Sequence, residues 1–444
     1  MFKFLKYIQP LWYYRLALRH DNSLLFNNLF RQSINNLADD NRFSSQESRN
    51  MDRIYRALQM GFIPSGDLIH DEEIGFYTIT HRNDNYKFVA KYFGKGKLLY
   101  VFLLRILSLN NPIMEFWGFL KALKISKIDI TLGHCAFEDF DSFQSNIIQS
   151  VPLVTVVIPT LNRYEYLEDV LKDLEAQDYQ NFEVIICDQT DFIPSDFYVG
   201  WNLNMQLIKQ EEKALWLARN RCIKQAKGEY ILLFDDDSRV EPNWIKNHLK
   251  CLEYFNVKIS AGVTNTLVGH GLGKKEGYFH LSDVFDTGNS MVHIEVFKQV
   301  GLFDRQFEKM RMGDGEFGLR AILGGFLIVS NPRALRVHLK VETGGLRQMG
   351  SWDALRPKSL FAPRPVPSAL YLTRKYFGDS TAIYYLIQNI PFSFIPYKFK
   401  KSKYLKVGFL VIVPLFTPLI LVVVYKSWVK SNLMLVEGDK IENY

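Results

Sequence analysis

A run of apolar residues, Tyr230-Ile-Leu-Leu-Phe234, stops abruptly at three aspartates, Asp235, Asp236 and Asp237. Gly228 and Glu229 precede the run and Ser238 follows the acids. A short apolar run bounded in this way predicts a buried strand. Such a strand delivers three carboxylates to one edge of a sheet. Like charges that close raise one another's pKa unless a cation lies among them. Hard divalent ions such as Mg²⁺ and Mn²⁺ take oxygen ligands and commonly arrive bridged to phosphates. The stretch therefore points to a metal–diphosphate site beyond a strand's carboxyl end, where ligands of open α/β sheets bind. A solvated acidic turn is the bland alternative, because Asp and Ser favour turns and caps.

The neighbouring sequence supplies the sheet. Leu153-Val-Thr-Val-Val-Ile158 is a β-branched run suited to a buried parallel strand, ended by Pro159-Thr-Leu-Asn-Arg163. Leu167, Val170, Leu171 and Leu174 then recur at helical spacing. A second strand, Phe182 to Cys187, ends in Asp188, and a weaker one lies around Met205 to Ile208. A helix from about Leu215 to Ala226 leads into the triple-aspartate strand. This alternation predicts a doubly wound α/β sheet. Asp188 and Asp235 reach the same carboxyl edge of it.

Further acids and bases gather around this frame. Asp188 can accept from a nucleobase or ribose, although capping is an equally common task for such a residue. Arg219 can meet phosphate or a surface carboxylate. Asp314 and Glu316, in Gly313-Asp-Gly-Glu-Phe-Gly-Leu-Arg320, open a helix, where acids are also favoured electrostatically. The glycines flanking Asp314 suggest close backbone approach. His338 is expected after a strand at Phe326 to Val329 and a turn at Asn331-Pro332.

Taken in order, Val156-Val-Ile-Pro-Thr-Leu-Asn-Arg163, Asp188, Ala218-Arg-Asn220, Gly228 to Asp237, Asp286-Thr-Gly-Asn289, Gly301-Leu-Phe-Asp304 and Gly313 to Arg320 resemble family 2 glycosyltransferases of the A-type fold. The resemblance implies an inverting, metal-dependent transfer from a nucleotide-sugar, of UDP type, to a glycan or lipid-linked acceptor. It implies donor contacts from Pro159, Thr160, Asn162, Arg163, Asp188, Arg219, Asp235 and Asp236. Mn²⁺ or Mg²⁺ would be held by Asp237 with Asp235 and His338. Asp314 would be the catalytic base, and Gly288, Asn289 and Glu316 would border sugar and acceptor. The chain departs from the pattern at Gln189, where a second acid is common, and at Gly313, where a Glu commonly precedes the base. The Gln-x-x-Arg-Trp signature of processive synthases is missing, which implies one sugar per encounter. A nucleotidyltransferase needs a Gly-rich loop after the first strand, but Pro159 to Tyr166 contains no glycine. A catalytically inactive membrane scaffold is the remaining alternative.

The rest of the chain suggests a membrane. Lys398, Lys400, Lys401, Lys403 and Lys406 precede an uncharged segment, Val407 to Tyr425, about 28 Å long as a helix. Pro414 and Pro418 are expected to kink it or turn it back. Basic residues abutting an apolar run favour a membrane surface and place the main body on the cytoplasmic side. Nucleic acid is not expected as a partner, because the basic cluster adjoins no stacking surface. The net charge of +7 is modest, and four cysteines without pairing or zinc spacing imply a reducing compartment. The expected organisation is an α+β N-terminal region at 1–150, a catalytic domain at 151–345 and a connector at 346–404. A membrane-associated segment at 405–425 and a polar tail at 426–444 follow. Within the first region, Phe76 to Thr80 and Tyr86 to Tyr92 alternate as two strands would around Arg82 to Asn85. Leu98 to Leu109 and Ile113 to Leu123 are expected as helices. Asp139 to Gln149 is the candidate linker, and Gly269 to Gly273 a flexible loop or lid.

Overall fold

The computed structural model describes residues 2–8, 12, 15–16, 37–64, 80–194, 196–266, 272–282, 284–341, 354–357, 359–396, 399 and 402–444. The glycine-rich run at 269–273 falls largely outside them. The chain divides into two compact units of interleaved segments. One comprises Met1–Ala57, His70–Leu132 and Gly350–Gly438; the other comprises Leu58–Ile69, Gly133–Met349 and Asp439–Tyr444.

The described elements of the first unit are helical. Its principal helices are Gln46–Met60, Arg82–Leu107, Pro112–Leu123, Pro367–Ser393 and Lys403–Glu437. The strand expected at Tyr86 to Tyr92 is a helix instead; its expected partner, Phe76 to Ile79, lies outside the described residues. The alternation misleads because Lys91, apparently on the polar face, is buried and donates to Asp52 at 2.6 Å and Asp40 at 2.7 Å. Tyr86, Phe88, Val89 and Tyr92 are buried as well, so the segment is enclosed on several sides. Phe2 stacks on Phe88 at 4.0 Å, which commits the aromatic N-terminus to this core.

The C-terminal helix runs unbroken through Pro414 and Pro418 and extends past Tyr425 to Glu437. The expected polar tail at 426–437 is therefore helical. Val423, Ser427, Ser431 and Met434 lie buried along one stripe of it. Arg374, from Pro367–Ser393, donates to Ser431 Oγ at 2.8 Å and sits 4.0 Å over the Trp428 ring. The connector likewise holds a long helix, opened by Pro367 at a position where proline lacks no hydrogen bond.

The second unit is built on a nine-stranded mixed sheet. Its strands are β1 (Val154–Thr160), β2 (Phe182–Asp188), β3 (Met205–Lys209), β4 (Tyr230–Phe234), β5 (Ser238–Val240), β6 (Ile259–Thr266), β7 (His280–Leu281), β8 (Asn289–His293) and β9 (Ile328–His338). The order is β3-β2-β1-β4-β8-β6-β9-β5, with β7 also on β9. The first four strands are parallel and β8 runs against β4 and β6. Every residue of β1, β2 and β4 is buried, as their continuous apolar runs require of strands covered on both faces.

β9 does not stop at Asn331-Pro332 as expected. Residues 332–335 bulge opposite Val263, and pairing resumes at Thr264 with Arg336. A bulge accommodates the proline, which has no N–H to give the ladder. The strand therefore carries Arg336 and His338 to the edge where β1, β2, β4 and β6 end.

Residues 133–150, read from sequence as N-terminal region and linker, pack within this unit. Glu253 accepts from the backbone N–H groups of Asn146 and Ile147 at 3.1 and 3.0 Å, and Tyr254 donates to Asp139. Residues 439–444 also belong here. Lys440 N donates to Asp304 Oδ1 at 2.9 Å, and the carbonyls of Lys440 and Glu442 accept from Arg305 and Leu302.

Candidate active site

Chain direction decides which residues meet. β1, β2, β4, β6 and β9 all finish at one edge, and β8 begins there. That edge gathers Thr160, Asp188, the three aspartates, Gly288, Arg336 and His338.

The three aspartates have different partners. Asp235 accepts from Arg219 Nη2 at 2.7 Å on Oδ1 and from Arg336 Nη1 at 2.9 Å on Oδ2. Asp236 is buried and accepts from Thr160 Oγ1 and Arg163 Nη1, each at 2.9 Å. Burial pushes the Asp236 carboxyl up to about 6 despite Arg163. Asp237 is fully buried, with His338 Nε2 at 3.1 Å and Arg163 Nη1 at 3.2 Å, yet neither of its oxygens accepts a well-aligned hydrogen bond. Burial alone would raise Asp237; His338 outweighs it, and the carboxyl titrates below its ordinary value.

Two buried carboxylate oxygens that accept no aligned hydrogen bond leave capacity for a further ligand. Asp235, Asp237 and His338 each place a ligand atom within 4.8 Å of the others. Two carboxylates and an imidazole suit a divalent cation such as Mn²⁺ or Mg²⁺. The residues present therefore fit the metal the sequence calls for.

Arg336 is absent from the sequence reading, and Asp286 enters it only within Asp286-Thr-Gly-Asn289, without a role of its own. The buried Arg336 guanidinium bridges Asp235 and Asp286, the latter at 3.0 Å. It lies so close to Gly288 that a Cβ there would stand 1.8 Å from Nη1 and 2.2 Å from Asp235 Oδ2. Gly288 thus makes room for this ion pair. Arg336 sits in a mixed stretch after a proline, and only the bulge brings it to the edge.

Asp314 occupies the first turn of helix Gly313–Leu323, with Gly315 N donating to its Oδ1 at 2.7 Å. Burial, with the nearby Asp286 charge, pushes its carboxyl up to about 6, while Arg219 pulls the other way. The glycine before it has a packing role: a Cβ on Gly313 would lie 2.3 Å from the Trp216 ring. Trp216 Nε1 in turn donates to the Phe307 carbonyl at 3.1 Å.

Several expected site residues are engaged elsewhere. Glu316 is buried and paired with Arg320 at 2.9 Å, and that arginine holds the Gly301 and Leu302 carbonyls. The Asn289 side chain spans strands, donating to the Val263 and Ala334 carbonyls and accepting from Trp244 Nε1. Both side chains tie elements together and neither joins the carboxylate cluster. Asp188 Oδ2 accepts from Tyr164 and Tyr198 at 2.7 and 2.8 Å, and Oδ1 from Thr190 N. The flanking Gln189 accepts from Ala214 N at 2.7 Å, which fixes the approach to helix Leu215–Gln225. Pro159 lies within β1 opposite Cys187. Asn162 is exposed at φ +54°, with its N–H donating to Thr190 Oγ1.

Residues 155–266 match the profile of Glycosyl transferase family 2. The chain carries a family 2 glycosyltransferase domain. It is 23% identical over 164 residues to glycosyltransferase GlyA of Streptococcus pneumoniae serotype 4, covering 36% of this chain and 22% of that one. It is 24% identical over 212 residues to a dolichyl N-acetyl-alpha-D-glucosaminyl phosphate 3-beta-D-2,3-diacetamido-2,3-dideoxy-beta-D-glucuronosyltransferase of Methanococcus voltae, covering 40% and 64%. The mannosyltransferase PcManGT of Pyrobaculum calidifontis, solved with GDP-Man and Mn²⁺, is similar at 14% identity and a TM-score of 0.43, over 67% of this chain and 91% of that one. The chain thus spans 22% to 64% of the length of these curated relatives. The family 2 match includes the three aspartates and stops before Asp314, Arg336 and His338.

Proposed function

We propose that the sheet unit transfers one sugar from a nucleotide-sugar, of UDP type, to an acceptor hydroxyl, with inversion and with Mn²⁺ or Mg²⁺ as cofactor. The observation that carries this reading is the grouping of Asp235, Asp237 and His338, within which the buried Asp237 oxygens accept no aligned hydrogen bond. A divalent cation held by these three residues would neutralise charge on a departing diphosphate.

The remaining work belongs to the chain's own groups. Arg219 and Arg336 fix both oxygens of Asp235, and Thr160 and Arg163 do the same for Asp236. A donor would therefore meet a preorganised edge. Asp188, rimmed by Tyr164 and Tyr198, is the expected base-contacting position, and the exposed Asn162 is the expected outer wall. Asp314 takes the proton from the acceptor hydroxyl. A carboxyl pushed up to about 6 is ionised at neutral pH yet basic enough to accept a proton in the transition state. Displacement from the opposite face inverts the anomeric carbon and needs no covalent intermediate. The lysine-flanked apolar helix supports work at the cytoplasmic face of a membrane, in cell-envelope polysaccharide or lipid-linked glycan assembly.

The test is a screen of nucleotide-sugars with Mn²⁺, reading released nucleoside diphosphate. One donor is expected to give metal-dependent release, and Asp237→Asn is expected to remove the metal dependence of nucleoside diphosphate binding. Equal wild-type affinity with Mn²⁺ and with EDTA would overturn the metal assignment.

A further inference from the structure

The helical unit exposes apolar side chains in stripes, a pattern solvent alone does not explain. On helix Arg82–Leu107, Leu99, Leu103 and Leu107 stand exposed four residues apart, Leu107 at 77%. On helix Pro112–Leu123, Ile113 and Trp117 are exposed at the same spacing. Ile383 and Ile387 repeat it on helix Pro367–Ser393. On helix Lys403–Glu437, the face opposite the buried stripe exposes Val411, Leu415 and Val422, Leu415 at 80%. Residues four apart share a helix face, so each helix offers its own apolar stripe.

Basic residues accompany these stripes. Lys95, Lys121 and Lys124 are exposed beside the first two helices. Lys97, midway along the first helix, lies near enough to Lys406, in the first turn of the last, to feel its charge. Apolar stripes with a lysine fringe match an anionic lipid surface.

Chain path then restricts how the last helix meets lipid. Val411–Glu437 is apolar and long enough to cross a bilayer, with a mean hydropathy of 1.9 over its most apolar stretch. Residues 439–444 follow it at once and are built into the sheet unit. Lys440 bonds Asp304 and Arg305, Glu442 bonds Leu302 and pairs with Lys224, and Ile441 covers Gly301. The bulk of that unit, Gly133–Met349, comes before the helix. A single crossing would part residues that the structure holds together. A second crossing to undo the first finds no candidate among the described residues. Helix Pro367–Ser393 carries Arg374, Lys375 and Asp379 near its middle.

We propose that the helical unit binds one leaflet of an anionic bilayer through these four stripes, and that helix Lys403–Glu437 lies in that leaflet without crossing it. Residues 439–444 and the sheet unit then stay on one side of the membrane. The proposal stands apart from the sugar-transfer reading, and its tests do not use activity.

Two measurements decide it. The first places one epitope after Tyr444 and another in the exposed loop at Val199–Gly200, then applies protease to sealed membrane vesicles. Both epitopes are expected to be cut from the same side. Cleavage from opposite sides would overturn the proposal. The second is flotation of the full chain with vesicles of phosphatidylcholine and phosphatidylglycerol. Leu107→Asp with Trp117→Asp, on helices remote in sequence from the hydrophobic tail, is expected to weaken binding at least tenfold with an unchanged thermal melt. If the pair melts early, Lys121→Gln with Lys124→Gln replaces it, and binding is expected to weaken threefold or more and only on anionic vesicles. Unchanged vesicle binding in the folded variant, or loss of a dimer by light scattering in its place, would show that a second copy or nothing covers these stripes, and would sink the proposal.

Discussion

Asp314 and Glu316 stand two residues apart on one helix turn, and their surroundings give them opposite work. Asp314 has no cation bonded to it, and burial pushes its carboxyl up to about 6. Glu316 is locked to Arg320. With Asp314 as the proposed base, a raised carboxyl pKa means it is protonated below that pH, so turnover under saturating donor is expected to fall tenfold per unit below about pH 6 and to level off above it. Asp314→Asn is expected to slow transfer about a hundredfold or more and to remove that acid limb, while donor affinity holds. Glu316→Gln is expected to leave the pH profile in place and to lower stability by about 1–3 kcal/mol, read as a shift in melting temperature. Near-normal transfer by Asp314→Asn beside an inactive, well-folded Glu316→Gln would reverse these roles. Arg336 offers a different kind of prediction. Arg336→Met removes one of the two arginines on Asp235 and the ion pair of Asp286, and is expected to lower the melting temperature while Arg219 still holds Asp235. Such a variant is expected to recover part of its melting temperature as pH falls and Asp286, left without its arginine, takes up a proton.

At the scale of elements, legibility followed burial on both faces. β1, β2 and β4 were plain in the sequence because a covered parallel strand is apolar at nearly every position. The carboxylates at their ends were plain for the same reason, since each interrupts such a run. Helix Arg82–Leu107 was misread because a buried lysine satisfied by two aspartates looks polar in a sequence and behaves as core in the fold. β9 was cut short because proline usually ends a strand, and only the pairing with β6 reveals a bulge that carries it. Arg336 escapes the sequence reading as a consequence, and Asp286 has no role in it: their pairing is set by register, which single-chain periodicity does not encode. The close backbone approach that the glycine before Asp314 suggests is to Trp216. Gly313→Ala is therefore expected to act through packing. Its methyl meets the indole, whose displacement disturbs the start of helix Leu215–Gln225, where Glu308 accepts from Trp216 N and Leu217 N. A loss of about 1–3 kcal/mol is expected on thermal unfolding, with the donor affinity of the folded fraction preserved. Equal melting temperatures would show that the indole has space to move.

For the whole molecule, the units are assembled from segments distant in sequence, which composition and linker signals do not disclose. Asp139 to Gln149 is polar enough to pass for a linker, yet its polar groups cap and pair with helix Trp244–Tyr254 and its surroundings. Residues 439–444 are equally inconspicuous, and they complete the sheet unit next to the loop that Asn220 and Arg320 secure. This has a consequence for biosynthesis. A ribosome delivers β1 to β9 well before residues 439–444, and between them it delivers the apolar helix Lys403–Glu437. The contacts of Lys440 and Glu442 with Leu302, Asp304 and Arg305 form only after helix Lys403–Glu437 has emerged. Under the membrane proposal, the lipid-binding helix would leave the ribosome before the final closure of the sheet unit.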